Sequence, residues 1–304
     1  MKKIFITGAN GFLGKNIIEY LSKDYEIVAY SRNPINIKNC KWIQGDILDK
    51  DRVTEAMTDC KIVIHLAAIT AYNDINSDPI STFRNYILGT MNVLEAMRKT
   101  NANIFIYPSS GKVYGFSNKL PYVETDKPQP SNLMGKAKLE VENIIKLYSN
   151  IMNCDCKFII FRIFNVYGYG QSEKFLIPKI IKNLNNSELK LGNTDIKRDY
   201  IHIDDVSSAI SLAITRAPTG CTIYNLGSGS PVSIKEIIKN VSTISGYDIN
   251  IISDNSQTRN DERDTEFADI TKLLSIGWHP KKDLTIGLRE ILLKNNFDIK
   301  LVKK

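Results

Sequence analysis

No run of apolar residues in this chain is long enough to cross a bilayer, and no segment repeats or narrows into the composition of a linker. Its five cysteines, Cys40, Cys60, Cys154, Cys156 and Cys221, are odd in number and form no C-x-x-C pair, which argues against a disulfide framework and against a zinc site. Reduced, structural thiols and no metal are expected. No basic face with interleaved aromatics is present: the formal charge of +7 is spread thinly, and only Lys300-Leu-Val-Lys-Lys304 looks like a cluster. That excludes nucleic acid as a partner and leaves a positive field suited to a small phosphate-bearing substrate. The amino terminus runs straight into strand-like sequence without a cleavage pattern, so a cytoplasmic protein without a membrane partner is expected.

What is present is ample core material, 43% hydrophobic residues over 304 positions, enough for one large or two closely joined domains. Lys3–Thr7, Glu26–Tyr30, Lys41–Gln44, Lys61–Leu66, Asn103–Tyr107 and Cys156–Phe161 are short β-branched runs with helical stretches between them. Continuous apolar strands alternating with helices imply right-handed βαβ crossovers and a doubly wound, parallel α/β sheet. After Arg162 the glycines at 168, 170, 192, 220, 227 and 229 break the chain into shorter pieces, which predicts a smaller α/β lobe covering the substrate.

Gly8-Ala-Asn-Gly11-Phe12-Leu13-Gly14 falls between the first strand and the first helix. Glycines at those places permit a tight turn and let backbone N–H groups and the positive helix end meet a pyrophosphate. The second strand ends in Tyr30-Ser31-Arg32, without the acid that would bond a free ribose 2′-hydroxyl. Ser31 and Arg32 suit a 2′-phosphate, so NADP(H) is the expected cofactor.

With these motifs in hand, the chain resembles the extended short-chain dehydrogenase/reductase family, in its nucleotide-sugar epimerase, dehydratase and reductase branch. The likeness runs through Gly45-Asp46-Ile47, His65-Leu66-Ala67-Ala68, Asn85 with Gly89–Glu95, Pro108–Gly115, Arg162–Gly168, Arg198–Asp205, Tyr224–Gly229 and Gly277–Pro280. It implies a Rossmann domain over 1–168 and 194–224 and a nucleotide-sugar-binding lobe over 169–193 and 225–304. It places Asp46 and Ile47 at the adenine, and Leu66, Ala67, Ala68 and Asn85 along the cofactor. Ser110 then bonds the reacting sugar oxygen and Lys138 grips the nicotinamide ribose. Asn165, Leu176, Leu191, Arg198 and Arg259 face the nucleoside-diphosphate sugar, the two arginines as bidentate phosphate binders. A homodimer through the helices near Phe83–Lys99 and Met134–Tyr148 is also implied.

Two departures bear on mechanism. The Asp-Glu pair that dehydratases carry after the catalytic hydroxyl is Gly111-Lys112 here, which argues against a 4,6-dehydratase. Met134 stands four residues before Lys138, where the family's Tyr-x-x-x-Lys has its tyrosine, and a thioether cannot exchange a proton with a carbonyl. Ser110, Lys112, Tyr72, Lys138 or a held water must then supply the acid. An epimerase uses its acid–base group in both directions with a tightly held NAD, whereas a reductase needs one proton delivered downhill. Met134 and Arg32 therefore favour an NADPH-dependent reductase of a 4-keto sugar nucleotide, such as a dTDP-linked 4-keto-6-deoxyhexose used for surface polysaccharide. A 4-epimerase and a catalytically silent cofactor-binding homologue are the alternatives.

Overall fold

The computed structural model describes the chain except residues 71, 117–118, 153–154, 185–187, 255–262, 298 and 300–304, and except the side chains of residues 72 and 73. The six short runs form strands β1 (Lys3–Thr7), β2 (Glu26–Ser31), β3 (Cys40–Gln44), β4 (Ile62–His65), β5 (Ile104–Ser110) and β6 (Lys157–Ile163). With an edge strand at Gly220–Leu226 they make one seven-stranded sheet, every pairing parallel, in the order Gly220–Leu226, β6, β5, β4, β1, β2, β3. Order reverses beside β1, whose neighbours are β4 and β2. Crevices for ligands open at such a switch point, beyond the carboxyl ends of the strands.

Alternate side chains of each strand feed opposite apolar layers, as the period of two dictates. Ile4, Ile6, Ile104 and Ile106 pack under the helices Phe12–Leu21 and Ile203–Arg216. Phe5, Val63, Phe105 and Tyr107 pack under the helices Gly89–Thr100 and Leu133–Met152. This is the doubly wound Rossmann sheet that the residue pattern predicts. Among the described residues no helix is long and apolar enough to cross a membrane.

The chain leaves the sheet after β6 and builds a smaller lobe with its own core of Ile177, Ile180, Ile237, Val241 and Leu288. There Lys197–His202 pairs with Asn165–Tyr167, Pro231–Ser233 and Thr265–Glu266. Between these excursions the chain returns to the central sheet at Gly220–Leu226, a strand that the glycine-broken pattern conceals. The cysteine expectation needs one correction. Cys40, Cys60 and Cys221 are free, but Cys156 is disulfide-bonded; counting and spacing rules address frameworks and metal clips and say nothing of a single bond.

Candidate functional site

The first turn fits a diphosphate. Gly8 has φ +66°, and a Cβ there would lie 2.7 Å from the backbone of both Leu66 and Ala67. A Cβ on Gly14 would lie 2.7 Å from the Ala9 carbonyl oxygen, so only glycine lets the helix press this closely on the turn. Gly11 caps the helix without a side-chain bond, and no acid stands in the first turn. Amide hydrogens and the positive dipole end therefore face outward beside exposed Gly11, with Phe12 and Leu13 half-buried behind them.

At the end of β2, the Ser31 hydroxyl donates to the Asn33 carbonyl at 2.7 Å and accepts the Trp42 indole N–H at 3.1 Å. Ser31 is nearly buried, while Arg32 is exposed and has no ion-pair partner among the described residues. Asp46 is braced twice: its carboxylate accepts the Leu48 N–H at 3.0 Å, and its carbonyl accepts the buried Tyr30 hydroxyl at 2.9 Å. Ile47 is buried, and the Asn85 amide donates to the Ser81 carbonyl at 2.7 Å.

The end of β4 is fixed by a chain of hydrogen bonds whose directions can be deduced. Ala67 N–H donates to Thr7 Oγ1 at 3.2 Å, and the Thr7 hydroxyl donates to His65 Nδ1 at 2.7 Å. The Thr90 hydroxyl must donate to the Tyr86 carbonyl at 2.6 Å, so it accepts from His65 Nε2 at 3.1 Å. His65 is thus the neutral Nε2–H tautomer. Burial, assisted by the positive charge of Lys138, pushes its pKa down to about 3. The chain continues through the Tyr86 hydroxyl to the Ile69 carbonyl at 2.6 Å, so Leu66, Ala67 and Ala68 are held from both sides. Sequence reasoning missed Thr7, Thr90 and Tyr86, for which a buried histidine needing two partners is the one available signal.

Ser110 ends β5, and its Oγ accepts the Lys112 N–H at 3.2 Å to start the turn Gly111–Val113. Met134 is half-buried in the first turn of the helix Leu133–Met152, which Asn132 caps by accepting the Gly135 N–H at 2.9 Å. Lys138, one turn on, is 5% exposed. Its Nζ donates to the Pro108 carbonyl at 2.6 Å and stands over the rings of Tyr107 and Tyr86, 4.5 and 5.2 Å from their centroids. Burial lowers its pKa to about 7, against the opposing charge of Glu142. Glu142 lies a turn further but is committed elsewhere: it accepts Arg162 Nε at 3.1 Å, an Arg162 terminal nitrogen at 2.8 Å and the Ser109 hydroxyl at 2.5 Å. The buried Tyr107 hydroxyl has no hydrogen-bond partner among the described residues.

Lys112 crosses to the smaller lobe, where Nζ meets Glu266 at 2.8 Å. The same Glu266 oxygen lies 3.4 Å from Arg198 Nε. Arg198 is buried and also donates to the Lys197 carbonyl at 2.9 Å. Asn165 is half-buried, its amide donating to the Asp199 carbonyl at 3.1 Å. Leu176 is half-buried at the margin of the lobe's core and Leu191 is buried inside it. Arg259 and the Tyr72 side chain lie outside the described residues. Sequence reasoning missed Glu266, Glu142 and the buried Asp199 carboxylate, which accepts the N–H groups of Ser228, Gly229 and Ala268 and ties two loops of the lobe together.

One cluster outside the cleft has metal-ligating residue types: His202, Asp204 and Glu290 approach one another within 4.8 Å. Lys282 already bonds both carboxylates there. His202 Nδ1 accepts the Asp204 N–H at 3.2 Å, which places the ring proton on Nε2. The cluster is a helix cap closed by an ammonium.

Comparison with known proteins agrees with this geometry. Residues 4–227 match the model of the NAD dependent epimerase/dehydratase family. A putative UDP-glucose 4-epimerase of Methanocaldococcus jannaschii is 31% identical, over 96% of this chain and 99% of its own. A GDP-6-deoxy-D-mannose reductase of Pseudomonas aeruginosa is 28% identical, over 96% of each. The crystal structure of a UDP-glucose 4-epimerase from Brucella ovis in complex with NAD superimposes with a TM-score of 0.90 at 25% identity, covering 99% of this chain and 100% of that one. A glycine turn against β4, an uncapped first helix and the Ser110–Lys138 constellation on one doubly wound sheet, together with these matches, show that the chain belongs to the NAD dependent epimerase/dehydratase family.

Proposed function

We propose that the chain is an NADP(H)-dependent reductase of a nucleotide-linked 4-keto sugar, of the dTDP-4-keto-6-deoxyhexose class, making an activated deoxysugar such as dTDP-fucose for surface polysaccharide in the cytoplasm. The observation that carries this reading is Met134 one helical turn from a buried Lys138 whose pKa is about 7. A thioether cannot pass a proton either way, while an ammonium of near-neutral pKa gives one readily. Ser110 holds the sugar oxygen, and Lys138 delivers the proton directly or through a water. Lys112 is less suited, because its charge serves Glu266.

The glycine turn and the first helix end would hold the dinucleotide's pyrophosphate, and Asp46, Ile47, Leu66–Ala68 and Asn85 its adenine and ribose side. When bound, the reduced nicotinamide supplies the hydride. Exposed Arg32, with no ion-pair partner among the described residues, is free to meet a 2′-phosphate, which supports NADP(H) over NAD(H). Asn165, Arg198 and Arg259 would hold the substrate diphosphate. Exposed Leu88, Met91, Leu147 and Ile151, on or beside the helices Gly89–Thr100 and Leu133–Met152, support a homodimer.

A nucleotide-sugar 4-epimerase is the second reading, favoured by the name of the 31% identical relative. A panel of 4-keto and 4-hydroxy sugar nucleotides, followed at the nicotinamide absorbance, separates the two. Steady NADPH consumption with a 4-keto substrate supports the reductase. Interconversion of 4-hydroxy epimers by protein that retains NAD through purification overturns it. Cofactor binding without either reaction marks a silent homologue. Calorimetry with NADPH and NADH on the native protein and on Arg32→Asp tests the cofactor separately; the native order should reverse in the variant.

A further inference from the structure

We infer that Arg162 is a positioning residue: by holding both carboxylate oxygens of Glu142, it keeps that charge from pairing with Lys138. The inference rests on the reading of Lys138 as the acid and deepens it. Lys138 and Glu142 stand one turn apart on the helix Leu133–Met152, the spacing at which opposite charges on a helix are neighbours. Both are buried, and both reach consecutive residues of β5: Lys138 Nζ donates to the Pro108 carbonyl at 2.6 Å, and Glu142 accepts the Ser109 hydroxyl at 2.5 Å. Yet the ion pair that forms is Glu142 with Arg162, through Nε at 3.1 Å and a terminal nitrogen at 2.8 Å.

The sheet supplies the reason. Arg162 on β6 is the register partner of Ser109 on β5, so its guanidinium enters beside the serine that Glu142 also bonds. It is itself held, a terminal nitrogen donating to the Glu124 carbonyl at 3.3 Å and its Cζ lying 4.7 Å from the centroid of the Tyr114 ring. The other titratable groups around Lys138 carry no charge: burial keeps His65 of β4, Tyr107 of β5 and Tyr86 of the short helix Arg84–Leu88 in their neutral forms, and pushes the Cys221 thiol of the edge strand up to about 11. Charges on the remaining elements packed against this helix are engaged elsewhere, Lys112 with Glu266, Asp74 with Lys174 and Glu95 with Arg98. Without Arg162, Glu142 would have the Lys138 ammonium as its buried partner one turn away, and that pairing would hold the ammonium in its protonated form.

A double-mutant cycle in urea tests this without the reaction. At neutral pH, Lys138→Met should raise the urea midpoint of the native protein, where the buried ammonium has no ion-pair partner, and lower that of Arg162→Gln, where it has become the partner of Glu142. A sign that does not invert between the two backgrounds overturns the inference. Should Arg162→Gln not fold, Arg162→Lys takes its place: an ammonium lacks the fork that holds both oxygens, so the gain from Lys138→Met should shrink to about half or less, and a larger remaining gain overturns the inference. Kinetics supplies a second readout. The alkaline limb of kcat for keto-sugar reduction should lie about one pH unit higher in Arg162→Lys than in the native protein and return when Glu142→Gln is added, with KM little changed; a limb that does not move overturns the inference as well. If the native protein reduces no 4-keto sugar nucleotide, the reductase reading fails, and the urea cycle still decides the role of Arg162.

Discussion

Two clusters of one glutamate, one lysine and one arginine flank the tip of β5, one in the floor beneath Ser110 and one on the cleft side beyond it. In the floor Glu142 gives both oxygens to Arg162 and one also to Ser109, so Lys138 is left with a carbonyl and two aromatic faces. In the cleft a single Glu266 oxygen serves Lys112 and Arg198 together. The same three residue types thus give opposite results. A carboxylate spent on a bidentate arginine leaves a lysine whose pKa falls to about 7 through burial, ready for chemistry. A carboxylate shared by a lysine and an arginine instead ties two elements of the chain together.

The comparison breaks first in stability. The Glu142–Arg162 pair is almost wholly buried, at 0% and 2% side-chain exposure. Removing one partner of such a pair costs about 3–5 kcal/mol, because the other charge stays buried alone. Glu142→Gln should therefore lower the urea midpoint far more than Glu266→Gln does. Equal losses in the two variants would show that the floor and the cleft are alike. Catalysis sharpens the contrast next. Lys138→Met should reduce kcat for keto-sugar reduction by about 10²-fold, the lower range for losing a positioned acid, whereas Lys112→Met should cost less than tenfold. Steady-state kinetics on both variants checks this, and a larger kcat loss in Lys112→Met would transfer the acid to the cleft.

Most of the floor's framework is legible in the sequence, because its causes are local or periodic. Continuous β-branched runs alternating with helical stretches announce β1 to β6, and Gly8, Gly11 and Gly14 announce the turn through demands only glycine meets. Lys138 is legible through its spacing from position 134. Its environment is not: that Glu142 belongs to Arg162 depends on β6 lying beside β5 and under the helix Leu133–Met152. The cleft is less legible still. Glu266 meets Lys112 across 154 positions of chain, and nothing in the two short stretches themselves signals the pairing. Strand Gly220–Leu226 escapes for a related reason, since its glycine-rich surroundings are shaped by the lobe it leaves while its partner is β6.

The effect that isolates the floor most directly lies in pH dependence. Lys138 titrates near 10.5 when unfolded and near 7 when folded. Between those values the unfolded chain binds the extra proton, so stability rises with pH across that window, by up to ~1.4 kcal/mol per unit. Below about pH 7 both states are protonated and the full cost of burying the ammonium applies. Lys138→Met should remove this slope and leave the folded protein more stable at neutral pH, even as it slows the reaction. The rate should carry the same signature, because a lysine acting as the acid must hold its proton. Keto-sugar reduction should be level below pH 7 and fall by about tenfold per unit above it, while Lys112→Met keeps that profile. Stability slopes from urea melts between pH 6 and 10, set beside kcat over the same range, decide the matter. A flat stability curve with a falling rate would place the titrating acid somewhere other than Lys138, and a falling rate that survives Lys138→Met would do the same from the kinetic side.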